Sequence, residues 1–501
     1  MLFNSLAFVI LFLVTFFIYY LPYCRHIQVL ILVVASLIFY AWSSPWLLVL
    51  LLLSILINGV VSFKVANAGK PKQLFWAILG IAVNLSILGL FKYGALLNNF
   101  FTNIFQASNR AEEGIIHLLL QLPLPIGISF YTFEGISLLV DVLRNQDKTL
   151  AEGGRKKSFY SNSSLSNHLL NTSFFISFFP HLIAGPILKA NNFYPQIEPK
   201  YLRDISWGIV FRTLVVGYFL KMVVADNLKD YTFWISFPHY QGFGTVTNLV
   251  FLFGYSIQIF ADFAGYSLIA IGLAKALGYT LPENFDFPYI SCSISEFWRR
   301  WHISLSTWLR DYLYFPLGGN RKGKMRTYVN LMIVMTLGGL WHGAAWSYAV
   351  WGIFHGVGLA AERFLGLNEQ SNKAQQQSKP IWQQFLLDLI RVLGVFSFVS
   401  IGWLLFKLPN FGQAVDFLVT LGKNIGFPLS IIKILPILVF SLPVIIYHIP
   451  YFPTFHNYRA NRLNQTKSNV WRICRNLTLG LMLALIFLNS GSSNEFIYFQ
   501  F

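Results

Sequence analysis

The chain has 501 residues, of which 55% are hydrophobic and only 11% are charged, and its formal net charge is +17. A soluble domain carries about 25% charged residues, so a soluble globule of this length would lack the polar side chains that its surface needs. The composition therefore indicates a membrane protein. The basic residues lie in short segments between apolar runs, as in membrane proteins, and predict no nucleic-acid partner.

The first part of the chain predicts closely spaced membrane helices. Residues 2–23 lack the basic region of a cleaved signal peptide, so we expect a retained first helix. The run from Ile27 to Phe63 has no charged residue. As one helix it would extend about 55 Å, against a hydrocarbon core of about 30 Å. The turn Ser43-Ser44-Pro45 therefore predicts two spans folded back on each other.

The rest of the chain continues this pattern. Further apolar segments lie at 75–91, 115–140, 168–188, 207–224, 246–277, 327–341, 343–361, 382–407, 429–449 and 474–490. We predict an all-α polytopic membrane protein with roughly 10 to 12 transmembrane helices, plus re-entrant and interfacial amphipathic helices around a central funnel or tunnel. The polar segment Asn368–Lys379 predicts a flexible surface loop. It divides a core at 1–365, with a loop at 366–381, from C-terminal helices at 382–501 that complete the same membrane domain.

Loop charges predict an orientation in the cell inner or plasma membrane. Basic residues mark the same ends of the first five predicted spans: Arg25, Lys64, Lys70, Lys72, Arg144, Lys148, Arg155, Lys156 and Lys157. The positive-inside rule places these ends in the cytoplasm and the N-terminus outside.

The segment Ile294–Tyr314 is the densest polar stretch of the second half. On a single helix its apolar positions form one stripe that includes Trp298, Trp301 and Trp308. Such an amphipathic helix suits the membrane interface, or the wall of a funnel below it. His302 lies on the flank of the stripe, where a packed structural histidine is the ordinary interpretation.

The next segment resembles a nucleotide-binding loop in its glycine spacing. Gly318 and Gly323-Lys324 have the spacing of that motif, but Met325 stands where the magnesium-binding Ser or Thr belongs, and no strand is predicted before it. We interpret the segment as a basic cytoplasmic loop that is able to attract the phosphates of a thioester donor.

His342 is the candidate that the residues themselves single out. It lies in a charge-free run, about 24 Å of helix beyond Arg326, and glycines flank it on both sides. An ionisable residue at that depth is a functional candidate, the alternative being a histidine that is hydrogen-bonded across helices. His355 is about 220° further around the helix and is expected to be structural. Glu134 and Asp262 also interrupt apolar segments, where each either orients a base or pairs with an arginine of Ile294–Tyr314. Structural pairing is the favoured interpretation for both.

The cysteines and the known hydrolase motifs exclude several chemistries. Cys24, Cys292 and Cys474 stand far apart, without a CxxC pair, and predict neither disulfides nor a zinc site. The chain has no GxSxG and no HExxH motif, so a covalent serine route and that metal site have no support. We expect no metal and no bound cofactor.

Several motifs in order resemble those of the membrane-bound O-acyltransferases, and most closely the alginate O-acetyltransferase-like group. The matching segments are MLFNS at the start, 124–133, 182–186, 225–227, 262–267, 282–285, FWRRWHISLSTWLRDYLY, the GGNRKG loop and 339–343. They cover about the first 365 residues densely. The resemblance implies that His342 is catalytic and that His302 is its neighbour in a central funnel. A histidine suits the role of a base that takes the hydroxyl proton during attack on a thioester.

The resemblance also implies the partners of such a reaction. We expect transfer of an acetyl group, from a co-substrate such as acetyl-CoA, towards hydroxyls of an extracytoplasmic polysaccharide. A secreted or membrane-anchored esterase-like protein is the expected partner, beside the lipid bilayer itself. The candidate residues of the substrate funnel are Trp298, Arg299, Trp301, Asp262 and Trp341.

Three departures from the family pattern leave the acceptor open. Leu268 replaces the acidic residue of alginate-type proteins, and Glu134 and His181 replace uncharged polar residues. Transfer of D-alanine or another acyl group from a carrier protein is therefore the alternative reaction. A transporter, with His342, Asp262 and Glu134 along its path, and a structural scaffold are the alternatives of other classes, although no internal repeat of the transporter kind is present.

Overall fold

The computed structural model describes residues 1–42, 45–94, 125, 127–151, 164–367, 380–408, 410–454 and 469–491. In these ranges the chain is mainly helical, and a single β-bridge joins Phe285 to Trp301. The helices of seven residues or more are α1 Leu6–Tyr20, α2 Gln28–Ala41, α3 Pro45–Asn67, α4 Lys70–Leu88, α5 Ile128–Ala151, α6 Leu165–Ser177, α7 Trp207–Tyr218, α8 Asp226–Thr232, α9 Thr245–Ala276, α10 Ile294–Arg300, α11 Ile303–Leu309, α12 Lys324–His342, α13 Trp346–Phe364, α14 Ile381–Lys407, α15 Phe411–Lys423, α16 Ile431–His448 and α17 Asn469–Leu488.

Membrane-spanning character is clear from helix length and composition. Seven described segments are long and apolar enough to cross a bilayer: Pro22–Ala41, Pro45–Asn67, Lys70–Tyr93, Trp207–Ile235, Thr245–Ala276, Ile381–Lys407 and Ile431–Tyr451. The all-α polytopic class is therefore confirmed. The total of 10 to 12 spans stays a prediction, because the segment expected at 115–140 lies partly outside the described residues.

Two separate helices stand on either side of the predicted turn, whose residues Ser43 and Ser44 lie outside the described residues. Helix α2 ends at Ala41 and α3 begins at Pro45, and the two helices pack against each other. Proline is tolerated in the first turn because the amide hydrogen that it lacks has no partner there in any helix. The loop expected at Asn368–Lys379 lies outside the described residues, and the three-part division of the chain stays a prediction.

The chain forms two compact units. The first comprises Met1–Val210 with Ala270–Pro282, and the second comprises Phe211–Ile269 with Glu283–Phe501. In the first unit α3 packs against α4, α5 and α6. Asn58 and Asn84 exchange side-chain amide hydrogen bonds of 3.2 and 2.8 Å between α3 and α4, which satisfies polar groups in an otherwise apolar interior.

The second unit contains every candidate site residue and is organised around the helix pair α12 and α13. The apolar segments expected at 327–341 and 343–361 are these two helices, joined by a short turn after His342. Glycines bring the helices together: a Cβ at Gly339 would stand 2.2 Å from the carbonyl oxygen of Tyr348, and one at Gly352 would stand 2.3 Å from that of Met335. The backbones therefore approach more closely than any side chain would allow.

The expectation of one amphipathic helix over Ile294–Tyr314 is wrong. The segment contains α10 and α11, and Trp301 and His302 separate them. Two of its three tryptophans are interior, with Trp301 1% exposed and Trp308 6% exposed, and Trp298 is half-buried. A hydrophobic stripe shows which residues are buried, but it does not show whether the helix that presents them is continuous.

Candidate functional site

The break between α10 and α11 has a specific backbone geometry. His302 has a φ of 43°, in the left-handed region that only a few per cent of non-glycine residues adopt. On one side of it Trp301 forms the β-bridge with Phe285. On the other side the amide of Ile303 donates to the carbonyl oxygen of Asn284 at 2.9 Å. The incoming segment at 284–285 therefore fixes the chain on both sides of His302.

The Asn284 side chain ties this segment to two helices. Its Oδ1 accepts a hydrogen bond from Ser304 Oγ at 2.6 Å and lies 3.3 Å from His302 Nδ1. Its Nδ2 donates to Ser267 Oγ, on α9, at 3.0 Å. Because an amide oxygen only accepts, its contact with His302 requires the imidazole proton on Nδ1. Asn284 thus sets both the position and the tautomer of His302.

The His302 ring lies in an aromatic interior. The side chain is buried, and its ring stands edge-on to Phe263 at 4.6 Å between centroids. Its centroid lies 5.9 Å from the ring of Trp341 and 6.5 Å from the ring of His342. The two histidines that the sequence singled out, 40 positions apart by number, are therefore neighbours in the fold.

His342 occupies the last position of α12 and is 6% exposed. Three aromatic rings surround its imidazole: Trp341 at 5.1 Å, Trp351 at 5.1 Å and Phe406 at 5.2 Å between centroids. Gly343 follows in an extended conformation, and a Cβ there would stand 2.2 Å from the ring of Tyr348. The glycine after His342 therefore lets α12 end directly against α13.

A cavity of about 130 Å³ lies against His342. Four elements line it, with Trp298 from α10, Leu305, Ser306 and Leu309 from α11, Val334, Met335, Gly338 and His342 from α12, and Trp351 from α13. The four α12 residues share one face of that helix and extend over about 12 Å of it. The cavity therefore runs from His342 back to the middle of α12, about 15 Å of helix from Lys324 at its start.

The structure separates the five predicted funnel residues. Trp298 lines the cavity, and Trp341 contacts the rings of both histidines. Trp301 instead packs into the aromatic core, 4.7 Å from Trp403 between ring centroids. Arg299 is exposed and does not line the cavity.

Asp262, the fifth funnel candidate, takes part in a buried ion-pair cluster. Lys221 Nζ lies 2.8 Å from an Asp262 oxygen and 2.7 Å from an Asp226 oxygen. Buried charges are stable only when they are paired in this way. In the first unit, Glu134 Oε1 lies 3.0 Å from His181 Nδ1, a contact that is ionic only when the imidazole is protonated. Asp262 and Glu134 therefore have structural partners, as the sequence favoured, but these are Lys221 and His181 and not an arginine of Ile294–Tyr314.

Several residues of the site are missing from the sequence-based candidates. Trp351 contacts both His342 and His355, at 5.1 and 4.8 Å between ring centroids, and Leu309 lines the cavity. The only available signal for Asn284 was its place in the PENF motif. Trp351 and Leu309 carried no signal, because one apolar residue in a helix resembles another.

Known proteins share sequence similarity with most of this chain. The family described as MBOAT, membrane-bound O-acyltransferase, matches residues 130–401. A probable alginate O-acetylase of Pseudomonas putida is 40% identical over 419 residues, which cover 82% of this chain and 78% of the relative. A peptidoglycan O-acetyltransferase of Helicobacter pylori is 34% identical, with coverage of 83% and 79%. A teichoic acid D-alanyltransferase of Bacillus subtilis is 28% identical, with coverage of 56% and 68%. The chain therefore belongs to the membrane-bound O-acyltransferase family.

Proposed function

We propose that this enzyme transfers an acetyl group from a thioester, most simply acetyl-CoA, towards hydroxyl groups of an extracytoplasmic polysaccharide. The observation that carries this proposal is the cavity between α10, α11, α12 and α13 that has His342 in its wall. The relatives whose names state O-acetyl transfer are more similar to this chain, over a larger share of it, than the D-alanyltransferase is. They therefore support an acetyl group as the transferred group. The transporter and scaffold alternatives have no support in this family membership.

His342 acts as the base in this proposal. The acceptor hydroxyl attacks the thioester carbonyl carbon, and the imidazole takes the hydroxyl proton as the new C–O bond forms. The C–S bond then breaks, and the same proton passes to the thiolate, so that an ester and a free thiol are the products. General acid–base catalysis of this kind contributes about 10²- to 10⁴-fold to a rate. His302 is a positioning residue, which holds Trp341 and the adjacent His342 ring in place.

The direction of substrate entry follows from the loop charges. The phosphates of a coenzyme A donor are attracted by the basic loop before α12, which the positive-inside rule places in the cytoplasm. The acetyl group would then meet its acceptor, or an extracytoplasmic esterase-like partner, on the other side of the membrane. The inner or plasma membrane location, the outside N-terminus and this partner are predictions of the same proposal.

Replacement of His342 tests the proposal. We expect His342→Ala to lower polysaccharide acetylation at least about 10²-fold, because the hydroxyl proton loses its acceptor. The measurement is mass spectrometry of acetylated cell-surface glycans in cells that carry each variant as the sole copy. His239→Ala is the matched control, since His239 is exposed and away from the cavity. Full acetylation by a folded His342→Ala protein would refute the role of this residue.

The donor requires a separate experiment. Purified enzyme in lipid nanodiscs is supplied with acetyl-CoA or with a D-alanyl carrier protein, and polymer-bound acyl groups are identified by mass. We expect acetyl incorporation. If only D-alanine is incorporated, acetyl transfer is refuted and the transfer of D-alanine from a carrier protein takes its place.

A further inference from the structure

The cavity beside His342 is small compared with the range of acyl groups that thioesters carry. Its volume is about 130 Å³. A cavity of about 150 Å³ lined by Leu, Ile and Phe holds one benzene ring, so this space admits about five or six heavy atoms. An acetyl thioester contributes two carbons, one oxygen and one sulfur, and the attacking hydroxyl oxygen makes about five. The reacting group of an acetyl transfer therefore fills the space.

The wall of the cavity away from His342 consists of packed side chains. Leu309, Val334 and Met335 are each at most 9% exposed. Val334 and Met335 cannot move away together with α12, because the glycine contacts described above hold this helix against α13. Protein interiors are packed as densely as organic crystals, and extra methylene groups force costly rearrangements.

A glycine provides part of the remaining space. Gly338 precedes His342 by one helical turn and lines the cavity on the same face of α12. A Cβ at this position would stand 3.2 Å from Leu309 Cδ1, which is tighter than ordinary van der Waals contact. Even one added methyl group therefore meets the opposite wall, on α11.

From these observations we infer that Leu309, Val334, Met335 and Gly338 form an acyl-length filter that restricts transfer to two-carbon acyl groups. The inference rests on the proposed acyl transfer at His342 and adds the residues that select its donor. Longer chains are rejected because the side chains of Leu309, Val334 and Met335 already occupy the space around the cavity between α11 and α12. One extra methylene in such a pocket changes kcat/KM by about 10- to 200-fold.

The test compares acyl donors of increasing length. The full-length enzyme in lipid nanodiscs is supplied with acetyl-, propionyl-, butyryl- or hexanoyl-CoA, together with alginate oligosaccharides or peptidoglycan fragments. Polymer-bound acyl groups are measured by mass spectrometry. We expect wild-type kcat/KM to fall about tenfold or more from acetyl to propionyl, and further with each longer donor.

Variants of the wall identify the filter. Met335→Ala and Leu309→Ala should raise the butyryl-to-acetyl ratio of kcat/KM about tenfold or more, and Gly338→Ala should lower acetyl transfer itself. Met332→Ala is the matched control, because Met332 is on α12 and does not line the cavity. The filter is overturned if wild-type enzyme transfers butyryl as fast as acetyl, or if Met335→Ala and Met332→Ala have the same effect on the ratio.

Binding of unreactive donors distinguishes failure of the filter from failure of the proposed reaction. S-ethyl- and S-hexyl-coenzyme A are thioethers that cannot transfer their chains, and their affinities are measured by thermal shift. Tighter binding of the ethyl compound by wild type, with a gain for the hexyl compound in Met335→Ala, supports the filter without any acceptor. Equal affinities in both proteins overturn it. If no donor is transferred but this pattern of affinities is found, the proposed reaction is refuted and the filter is not.

Discussion

At the scale of single residues, the site depends on a histidine in an unusual backbone conformation. His302 adopts a φ of 43° and its ring packs edge-on to Phe263. A left-handed conformation costs an ordinary L-residue roughly 1–2 kcal/mol, and glycine pays no such penalty. The conformation persists because the bridge of Phe285 to Trp301 and the hydrogen bond from Ile303 to Asn284 fix the chain on either side.

This conformation allows the backbone role of His302 to be separated from the role of its ring. We expect His302→Gly to lower the melting temperature, because a buried ring is removed, and to lower kcat, because Trp341 and His342 lose a neighbour. His302→Val should unfold at a still lower temperature, because a branched Cβ is poorly tolerated at positive φ whereas glycine accepts it. The measurements are fluorescence-detected thermal unfolding and acetyl-transfer kinetics. A His302→Gly protein with wild-type kcat would show that the ring has no part in the reaction.

At the scale of helices, the position of His342 depends on the close approach of α12 and α13. The contacts are reciprocal: Gly339 faces the backbone at Tyr348 and Gly352, and Gly352 faces the carbonyl of Met335. In lipid, helices gain little from hydrophobic burial against one another, so close packing through small residues is a main source of association. The same contact fixes the positions of His342 and of the α12 residues of the cavity wall relative to α13.

A methyl group at this contact should separate the helices. We expect Gly352→Ala to destabilise the protein by about 1–3 kcal/mol, because its Cβ would stand 2.3 Å from the Met335 carbonyl oxygen. Acetyl transfer should fall with it, since His342 lies on the displaced helix. Gly394→Ala is the matched control: Gly394 lies inside α14, and a Cβ there meets no atom within 4 Å.

The control should behave in the opposite sense. Alanine is favoured over glycine in a helix interior by about 1 kcal/mol, so Gly394→Ala should unfold at or above the wild-type temperature. Both proteins are compared by thermal unfolding in the same detergent. Equal melting temperatures for the two variants would mean that the α12–α13 contact is more compliant than its distances indicate.

At the scale of the whole molecule, the proposed reaction requires the two ends of the second unit to face different compartments. Helices α12 and α13 are antiparallel, and α14 runs from Ile381 to Lys407 before the exposed residue Gly426. We predict that α12 and α13, which are not among the seven long apolar segments, cross the bilayer as α14 does. Lys322 and Gly426 then lie on opposite faces. The positive-inside rule assigns the Lys322 face to the cytoplasm.

Cysteine labelling checks this orientation. In a cysteine-free background, Lys322→Cys should be protected from a membrane-impermeant maleimide in intact spheroplasts, and Gly426→Cys should react. Permeabilised cells, where both positions should react, provide the control for accessibility. The reverse pattern would place the basic loop outside and would contradict a cytoplasmic acyl-CoA donor.

The sequence by itself determined the membrane class and the positions of many helices. Apolar runs without charges cross a bilayer because hydrocarbon tolerates neither unpaired charges nor unpaired backbone groups. This local rule was sufficient to locate helices α2 and α3 and helices α12 and α13 in the sequence. It also singled out His342, since an ionisable residue inside such a run needs a reason to be there.

Tertiary structure decided how the candidate site is assembled. The helical pattern of Ile294–Tyr314 predicted one continuous helix, but contacts with Asn284 and Phe285 break it at His302. Likewise, Asp262 qualified as a funnel residue until Lys221, which is distant in sequence, appeared as its partner. Periodicity reports which residues are buried, and only the packed fold determines what each buried group contacts. The cavity beside His342 is a space between helices, and it exists only once they are packed.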